Sequence, residues 1–217
     1  MIFQKINKLK EEITKYLHHV KSMIELSIEG FINKDKELLE TIINQKEKVA
    51  NKKEIDIEEL AMLIITKFAP KAVDMRTVIM IMKINNDLER IADHAVNIAN
   101  DGLYLVKRPS PKPIVDIRTM ADTSIEMMEK SIKAFIHNDA ELAQEVLQLD
   151  DRVDDLNRRY TKELVANMMD NSELVERCIS FLKTIHDIER IADLSTNICE
   201  DVIFIVEAKN IKHKGKK

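Results

Sequence analysis

The 217-residue sequence predicts an all-α protein built from two similar three-helix bundles. Three observations support this class. Apolar residues recur every three or four positions over long stretches, only three glycines and four prolines occur, and one segment of the first half returns in the second. Helical spacing with few backbone breakers is typical of long amphipathic helices. A segment repeated within one chain indicates a duplicated structural unit.

Three helices are predicted in the first half. The first runs from about residue 3 to residue 31, and the second starts at Asp35, a residue suited to an N-cap. We expect the second helix to break at residues 51–54, because the segment Asp56-Ile57-Glu58-Glu59 that follows has the form of a new capping box. The third helix spans about residues 70–106 and opens on a proline, which fits the first turn of a helix.

A linker and three further helices are predicted in the second half. Residues 107–113 contain three prolines at alternate positions, which cannot continue a helix and favour an extended connection. The fourth helix should span about 115–137, the fifth should follow an Asn-x-x-Glu cap and span about 138–169, and the sixth should span about 171–208. The basic tail at 209–217 is expected to be disordered.

The repeat is the main sequence signal. Residues 87–101 read DLERIADHAVNIAND and residues 187–201 read DIERIADLSTNICED, with nine of fifteen positions identical at an offset of 100. A second match pairs Phe31-Ile32-x-x-Asp35-x-Glu37-Leu38 with the same pattern from Phe135, at an offset of 104. Two matches at nearly one offset predict duplication of a unit of about 100 residues. The predicted domains are a first repeat at 1–106, the linker at 107–113 and a second repeat at 114–208.

Composition and charge exclude several classes. The net charge of −4 gives no basic footprint for nucleic acid, and no apolar run approaches the roughly 20 residues of a membrane helix. Met1 leads directly into a charged amphipathic stretch, so no signal peptide is predicted. Cys178 and Cys199 should lie about 31 Å apart on one helix, too far to form a disulfide. We expect a soluble cytoplasmic protein with reduced thiols.

An acidic ladder is the clearest candidate site. Glu89 and Asp93 lie four residues apart on the third helix, Glu189 and Asp193 repeat the pattern on the sixth, and Glu200 returns to the same face. Like charges at this spacing disfavour a helix by a few tenths of a kcal/mol. For one such pair a solvated acidic face is the simpler explanation. Retention in both repeats favours a site for Mg²⁺, Mn²⁺ or iron, which prefer oxygen ligands.

The fifth helix supplies a second carboxylate pair. Asp150 and Asp154 are also four residues apart, and packing against the sixth helix would place them beside Glu189 and Asp193. We therefore predict a metal site in the second repeat and a weaker one in the first, where Asn100 replaces Glu200. The first-repeat counterparts of Asp150, Asp151, Asp154 and Asp155, at the 104-residue offset, are Lys46, Glu47, Ala50 and Asn51.

The remaining candidates have simpler explanations. Arg90 and Arg190 are expected to pair with Asp87 and Asp187 three residues earlier, and His94 is interpreted as a surface or packing residue. Several methionines fall within helical patterns and are predicted to fill the core. No nucleophile-and-base pair, Gly-rich phosphate loop or Glu-x-x-His ligand pattern is recognisable. We predict no catalytic residue and no enzyme activity.

The repeated segments resemble a known family. Phe68-Ala69-Pro70, Asp74-Met75-Arg76 and the run from Asn86 to Ala99 are similar to the first-repeat signature of PhoU proteins, which regulate phosphate uptake. The segment Ile188-Glu189-Arg190-Ile191-Ala192-Asp193, followed by Asn197-Ile198, is similar to the second-repeat signature. The resemblance extends over nearly the whole chain.

The resemblance implies two three-helix bundles related by pseudo-twofold symmetry, often assembled as homodimers. It implies metal sites formed by four-residue-spaced carboxylate pairs, here Glu89 with Asp93, Glu189 with Asp193, and Asp150 with Asp154. The metal could be iron, manganese, magnesium or zinc. It further implies a non-enzymatic negative regulator that contacts the ATPase of a phosphate ABC transporter and a sensor histidine kinase, and reaches the membrane only through these partners.

Two alternatives stay open at this level. The carboxylates could themselves be the function, in a metal-storage or metal-sensing bundle. A carboxylate-metal enzyme such as a phosphatase is the third hypothesis. The residues do not identify the metal, the interface residues, the oligomeric state or a cognate kinase.

Overall fold

In the computed structural model, which describes residues 2–109 and 116–207, every regular element is helical. A π-helical turn, Ile42–Lys46, joins the second helix to the third without a break, and a 3-10 turn, Ser172–Leu174, precedes the last helix. The predicted linker from Ser110 onward and the predicted basic tail lie outside the described residues. The helices are α1 (Ile2–Asn33), α2 (Lys36–Thr41), α3 (Glu47–Phe68), α4 (Val73–Leu105), α5 (Ile117–His137), α6 (Ala140–Asp170) and α7 (Val175–Glu207).

The helices form two tandem bundles, as the sequence predicts. In the first, α1 packs against α4, and the continuous α2–α3 rod packs against both; in the second, α5, α6 and α7 pack in the same way. All ten buried residues of α1 from Ile13 to Phe31 have a buried counterpart 104 positions later in α5. The periodic apolar stripes read from the sequence are therefore the bundle cores. Each fully buried aliphatic side chain contributes about 1.5–3 kcal/mol.

None of the helices within residues 2–109 and 116–207 is long and apolar enough to cross a membrane. Cys178 and Cys199 are both buried and unpaired, and both lie on α7, the one helix on which the sequence places them.

The first turn of each bundle is built in the same way. Lys34 and Asn138 adopt left-handed backbone conformations that end α1 and α5. The next residue is an aspartate in both repeats, and its carboxylate accepts a hydrogen bond from the amide three residues on, at 3.1 Å from Asp35 and 3.0 Å from Asp139. Such N-caps stabilise a helix by about 1 kcal/mol. The repeated Phe-Ile-x-x-Asp-x-Glu-Leu segment is thus a helix–turn–helix corner.

The π-helical turn adds one residue to the first repeat. Before it, the buried Leu39 and Ile42 correspond to Ala143 and Val146 at an offset of 104. After it, the buried residues correspond at an offset of 103. A single extra residue is what a π turn inserts into an α-helix. These later pairs are Ala50 with Val153, Ile57 with Tyr160, Ala61 with Leu164 and Ile64 with Asn167.

Two predicted helix boundaries are wrong. The helix does not break at residues 51–54, because Ile57 stays on the same core-facing stripe as Ala50 and the capping-box residues lie within α3. The irregularity is the π turn, where a His19 ring nitrogen donates to the carbonyl of Lys46 at 2.9 Å. The third helix begins at Val73 and not at Pro70, since Ala72 has a φ of 47° that interrupts the helix.

The two bundles meet where α4 packs against α7. Lys83 of α4 pairs with Asp201 of α7 at 3.0 Å, and Lys183 of α7 pairs with Asp101 of α4 at 4.0 Å. Exchanging the repeats converts one pair into the other, so the helices run antiparallel about a local twofold axis. Midway between these pairs stand Ala92 and Ala192, both buried, whose small side chains permit a close approach. The expected pseudo-twofold relation is present at this interface.

One polar cluster departs from the symmetry. Nδ1 of His94 lies 2.7 Å from the carboxylate of Asp187, which is only 8% exposed, and the Asn97 amide donates to the same oxygen at 3.5 Å. The second-repeat counterpart of His94 is the buried Leu194. His94 is therefore a packing residue that links the two bundles.

Helices α1, α2 and α4 approach each other around Leu39. A Cβ atom on Gly30 would lie 2.7 Å from Leu39 Cδ2, and one on Gly102 would lie 3.0 Å from Leu39 Cδ1. Glycine inside a helix normally costs about 0.5–1 kcal/mol relative to alanine, so the close packing explains its presence. In the second repeat the corresponding residues are Ala134, Ala143 and Val202, all buried, with the large side chain on a different helix.

Gly30→Ala should destabilise the protein by about 1–3 kcal/mol despite the higher helix propensity of alanine, because the added methyl group overpacks Leu39. Urea unfolding of the variant against wild type measures the change. The Leu39→Ala background is the control, and there Gly30→Ala should be neutral or stabilising. An equal loss in both backgrounds would exclude the clash as the cause.

Asp101→Asn should stabilise the protein at pH 7 by about 1–2 kcal/mol. Burial raises the pKa of Asp101 from 3.8 to about 6, with Lys183 opposing the change and Asp187 adding to it. Between these values the folded state holds a proton that the unfolded state has lost, so stability falls from about pH 4 to pH 6 and stays reduced above. Asparagine removes this dependence, which denaturant unfolding across pH 4–7.5 measures.

The matched control is Asp201→Asn, which removes the equivalent carboxylate and its 3.0 Å pair with Lys83. It should give no gain in stability. If Asp101→Asn also failed to gain at pH 7, the ion pair with Lys183 would outweigh the burial of the carboxylate.

Candidate metal centres

In the second repeat, the structure brings together four of the predicted carboxylates. Asp150 and Asp154 lie on α6, and Glu189 and Asp193 lie on the part of α7 that packs against it. Burial first, and then the negative charges of Asp154, Asp193, Asp151 and Glu189, together raise the pKa of Asp150 from 3.8 to about 6. A cation beside such a group of carboxylates would offset the repulsion between their charges.

Glu189 is the most confined of these side chains. Its carboxylate is 18% exposed, and its Oε2 atom is buried without a hydrogen-bond donor among the described residues. His186 Nδ1 and Arg190 Nε lie 3.4 Å and 3.9 Å away, too far or too poorly aligned to donate. Burial raises the pKa of Glu189 first, and Asp193 raises it next. An acceptor left without a donor costs about 1–3 kcal/mol.

Two arginines partly neutralise this cluster. Arg190 donates to the carboxylate of Asp193 at 2.9 Å, and Arg158 lies 3.7 Å from Asp154 and 2.5 Å from Asp155. The predicted pairing of Arg190 with Asp187 is wrong, because Asp187 is turned toward His94 at the interface between the bundles. Both arginines are about half exposed or more. They can swing into solvent without disturbing the core.

The first repeat holds a smaller cluster of different composition. Glu89 and Asp93 lie on α4 as predicted, and Glu54 of α3 faces them. Burial raises the pKa of Glu89, and the charges of Asp93 and Glu54 add to the effect. Burial also raises the pKa of Glu54, and its neighbour Glu58 adds to it. In the part of the chain that the structure describes, no ion pair is made by Glu54, Glu89 or Asp93.

Tyr16 of α1 is affected by the charges of this first cluster. Its side chain is fully buried, and its hydroxyl has no hydrogen-bond partner in the described residues. Burial raises the pKa of the phenol first, and the charges that raise it further are Glu89, Glu54 and Asp93, in that order. A buried hydroxyl without a hydrogen-bond partner costs about 1–3 kcal/mol.

Other predicted positions lie away from the clusters. Glu200 is half-buried, and it is not among the charges that raise the pKa of Asp150. Glu200 adds instead to the burial that raises the pKa of its neighbour Cys199 to about 12. Lys46, the counterpart of Asp150 by the 104-residue offset, donates to the Ser22 hydroxyl at 3.0 Å. Ala50 is part of the core.

The residues present fit a cation with oxygen ligands. Within residues 2–109 and 116–207, no three His, Cys, Asp or Glu side chains converge closely enough to hold a metal ion in their present conformations. Each cluster nevertheless combines mutually repelling carboxylates with a buried oxygen that lacks a partner. A cation held by these oxygens would relieve the repulsion, and the side chains would have to move to converge on it.

Sequence reasoning missed Glu54 and Tyr16. Glu54 and Glu58 have the same four-residue spacing as Asp150 and Asp154, so the pattern was visible. The repeat did not indicate it, because the counterpart of Glu54 is Arg158 at an offset of 104 and Asn157 at the offset of 103 that applies after the π turn. For Tyr16 the only signal was a hydroxyl-bearing residue in a stripe of isoleucine, leucine and valine.

The PhoU domain model matches residues 13–102 and 117–202, one match in each bundle. The chain is 30% identical to phosphate-specific transport system accessory protein PhoU homolog 2 of Thermotoga maritima, covering 98% of this chain and 90% of that protein. It is 32% identical to a phosphate-specific transport system accessory protein PhoU homolog of Aquifex aeolicus, covering 98% and 96%.

Two crystal structures share the architecture. PhoU from Pseudomonas aeruginosa superposes with a TM-score of 0.90 at 26% identity, covering 96% of this chain and all of that one. The phosphate transport system regulatory protein PhoU from Streptococcus pneumoniae superposes with a TM-score of 0.89 at 26% identity, covering 98% of this chain and all of that one. The similarity thus extends over both bundles and their relative placement.

Proposed function

The chain belongs to the PhoU domain family, and we propose that it acts as a regulatory accessory protein of phosphate transport. The observation that supports this proposal is that the similarity to PhoU proteins extends over nearly the whole length of the chain. Both bundles match the family model, and relatives covered over 90% or more of their length are named as phosphate-specific transport accessory proteins. A single bundle shared with a larger protein would support only the fold.

The way in which the protein would regulate transport is proposed from its resemblance to the PhoU family. We propose a non-enzymatic negative regulator that works in the cytoplasm, as a homodimer, by contacting the ATPase of the phosphate ABC transporter and a sensor histidine kinase. The protein would restrain uptake when phosphate is plentiful. It would meet the membrane only through these partners.

Metal binding is the second part of the proposal. Asp150, Asp154, Glu189 and Asp193 would hold a divalent or trivalent cation in the second repeat, and Glu54, Glu89 and Asp93 would hold one in the first. A bound cation would neutralise the clusters and fasten α6 to α7, and α3 to α4. With four carboxylates against three, the second site should bind a divalent ion more tightly.

A metal-storage or metal-sensing bundle is the alternative. The observation that favours it is the pair of carboxylate clusters, which lower stability in the absence of a cation. Affinity purification separates the two functions. Co-purification of a transporter ATPase or a histidine kinase supports the regulator, whereas tight metal uptake without either partner supports storage.

Deletion of the gene should raise phosphate accumulation and expression of the transporter in phosphate-rich medium, because the restraint on uptake is lost. Radiolabelled phosphate uptake and transcript levels measure both effects. Restoring the wild-type gene is the control and should return both to normal. Unchanged uptake and expression in a clean deletion would contradict the regulatory role.

Mn²⁺ should raise the melting temperature of the wild-type protein. At 100 times the dissociation constant a ligand adds about 2.7 kcal/mol of stability, or about 5–10 °C for a chain of this size. Glu189→Gln/Asp193→Asn should abolish most of the rise, and Glu89→Gln/Asp93→Asn should retain most of it. Differential scanning calorimetry measures the metal-induced rise for each variant.

The variants are compared by the metal-induced rise in melting temperature and not by the melting temperature itself. Neutral side chains also relieve the repulsion between carboxylates when no metal is added, and this alone changes the melting temperature. Equal losses in the two double variants would show that the repeats are equivalent. No rise in the wild type would identify both clusters as solvated acidic faces.

A further inference from the structure

The hydroxyl of Tyr16 is a polar group that forms no hydrogen bond with the described residues. The side chain is 0% exposed on α1, which packs against both α3 and α4. Its hydroxyl has no hydrogen-bond partner among the described residues. Tyr160 provides the contrast, because its hydroxyl donates to the carbonyl of Asp116 at 2.9 Å. Phenylalanine would fill the same space at position 16 without an orphaned oxygen.

The surroundings of the Tyr16 hydroxyl are acidic. The charged groups that act on it are Glu89 and Asp93 of α4 and Glu54 of α3. None of these carboxylates accepts a hydrogen bond from the phenol in this structure. The hydroxyl is carried by α1, which packs against both helices that carry these carboxylates.

The second repeat lacks this oxygen. The buried residues of α1 and α5 correspond at an offset of 104, which places Met120 opposite Tyr16. Met120 is fully buried and offers only a soft thioether. The two clusters therefore differ in ligand chemistry, with four carboxylates in the second repeat and three carboxylates and a phenol in the first.

We propose that Tyr16 is a metal ligand of the first repeat, together with Glu54, Glu89 and Asp93, and that it makes this site selective for Fe³⁺. The inference rests on the proposed metal binding and adds a ligand and a preferred ion. Phenolate is a hard anionic oxygen ligand of ferric iron, as in the tyrosine-ligated haem of catalase. The phenol would lose its proton to solvent on coordination, without oxidation or reduction, since ligand groups bind metals in their deprotonated form.

The test uses visible absorption, because phenolate bound to Fe³⁺ gives a charge-transfer band that carboxylates do not give. The background variant is Glu189→Gln/Asp193→Asn, which removes the second site. Fe³⁺ is added as its nitrilotriacetate chelate, and bound iron is measured after gel filtration. The band should appear with about one iron per chain, and Tyr16→Phe should abolish it.

Two variants control for the fold and for the other tyrosines. Tyr16→Phe should melt at the same or a higher temperature without iron, because it removes an orphaned hydroxyl, so loss of the band cannot be assigned to unfolding. The chain has three tyrosines, and both Tyr104→Phe and Tyr160→Phe should keep the band. Tyr16→Phe should also weaken Fe³⁺ binding by at least the roughly tenfold loss caused by removing an outer-shell partner of a metal, while leaving Mn²⁺ binding nearly unchanged.

The outcomes separate this inference from the proposed metal binding. Iron bound without a band, or a band that survives Tyr16→Phe, would overturn the role of Tyr16 and leave carboxylate binding intact. Failure of the wild-type protein to bind either Fe³⁺ or Mn²⁺ would overturn both.

Discussion

The antiparallel packing of α4 against α7 is the constraint on which the rest of the molecule depends. Each of these helices packs against the other long helices of its bundle, and each also carries the glutamate and aspartate of its candidate metal centre. One face of the helix must therefore fill a core, a second must meet the other bundle, and a third must present carboxylates. Ala92 and Ala192 at the centre of the contact let the backbones approach. The two reciprocal lysine–aspartate pairs lie at either side of it.

The carboxylates of the two candidate centres lower the free energy of unfolding of the protein. Asp150 and Glu189 are partly buried among like charges, and Glu189 and Tyr16 each have a buried oxygen without a hydrogen-bond partner among the described residues. In a bundle with well-formed cores such groups are tolerated, because burial elsewhere exceeds their cost. A cation would remove the deficit at both centres. The same groups would then hold helices of one bundle together, so metal content could change the rigidity of the surface offered to a partner.

Much of the fold could be predicted from the sequence. The apolar residues that recur every three or four positions in the first predicted helix form the buried face of α1, and Asp35 is an N-cap as predicted. The cap predicted at Asn138 is wrong, because Asn138 ends α5 in a left-handed conformation and Asp139 caps α6. These features are local, since periodicity and capping act within a few residues of the chain. The π turn was not predictable, because one inserted residue leaves no mark in composition and only a change of offset in the core pattern.

The candidate centres were predicted less completely for a related reason. Spacing along one helix identified Glu89 with Asp93 and Glu189 with Asp193, but which residues face them depends on the register of the neighbouring helix. In the second repeat that helix is regular, and Asp150 and Asp154 lie where the sequence places them. In the first repeat the charge that acts on Glu89 comes from Glu54, whose counterpart in the second repeat is Asn157, so the two sites are not built from equivalent positions. Arg190 pairs with Asp193 because Asp187 is paired with His94 of the other bundle.

The packing around Leu39 has an evolutionary consequence. In the first repeat the large side chain stands on α2 between two glycines, and in the second it stands on α7 as Val202 between two alanines. A recombination event that joined α2 of one repeat to the last helix of the other would set Leu39 against Val202, and the reciprocal crossover would leave a cavity. The halves of the gene can no longer exchange segments freely. Each repeat is therefore free to diverge, which is a condition for two carboxylate clusters of different composition to persist within one duplicated chain.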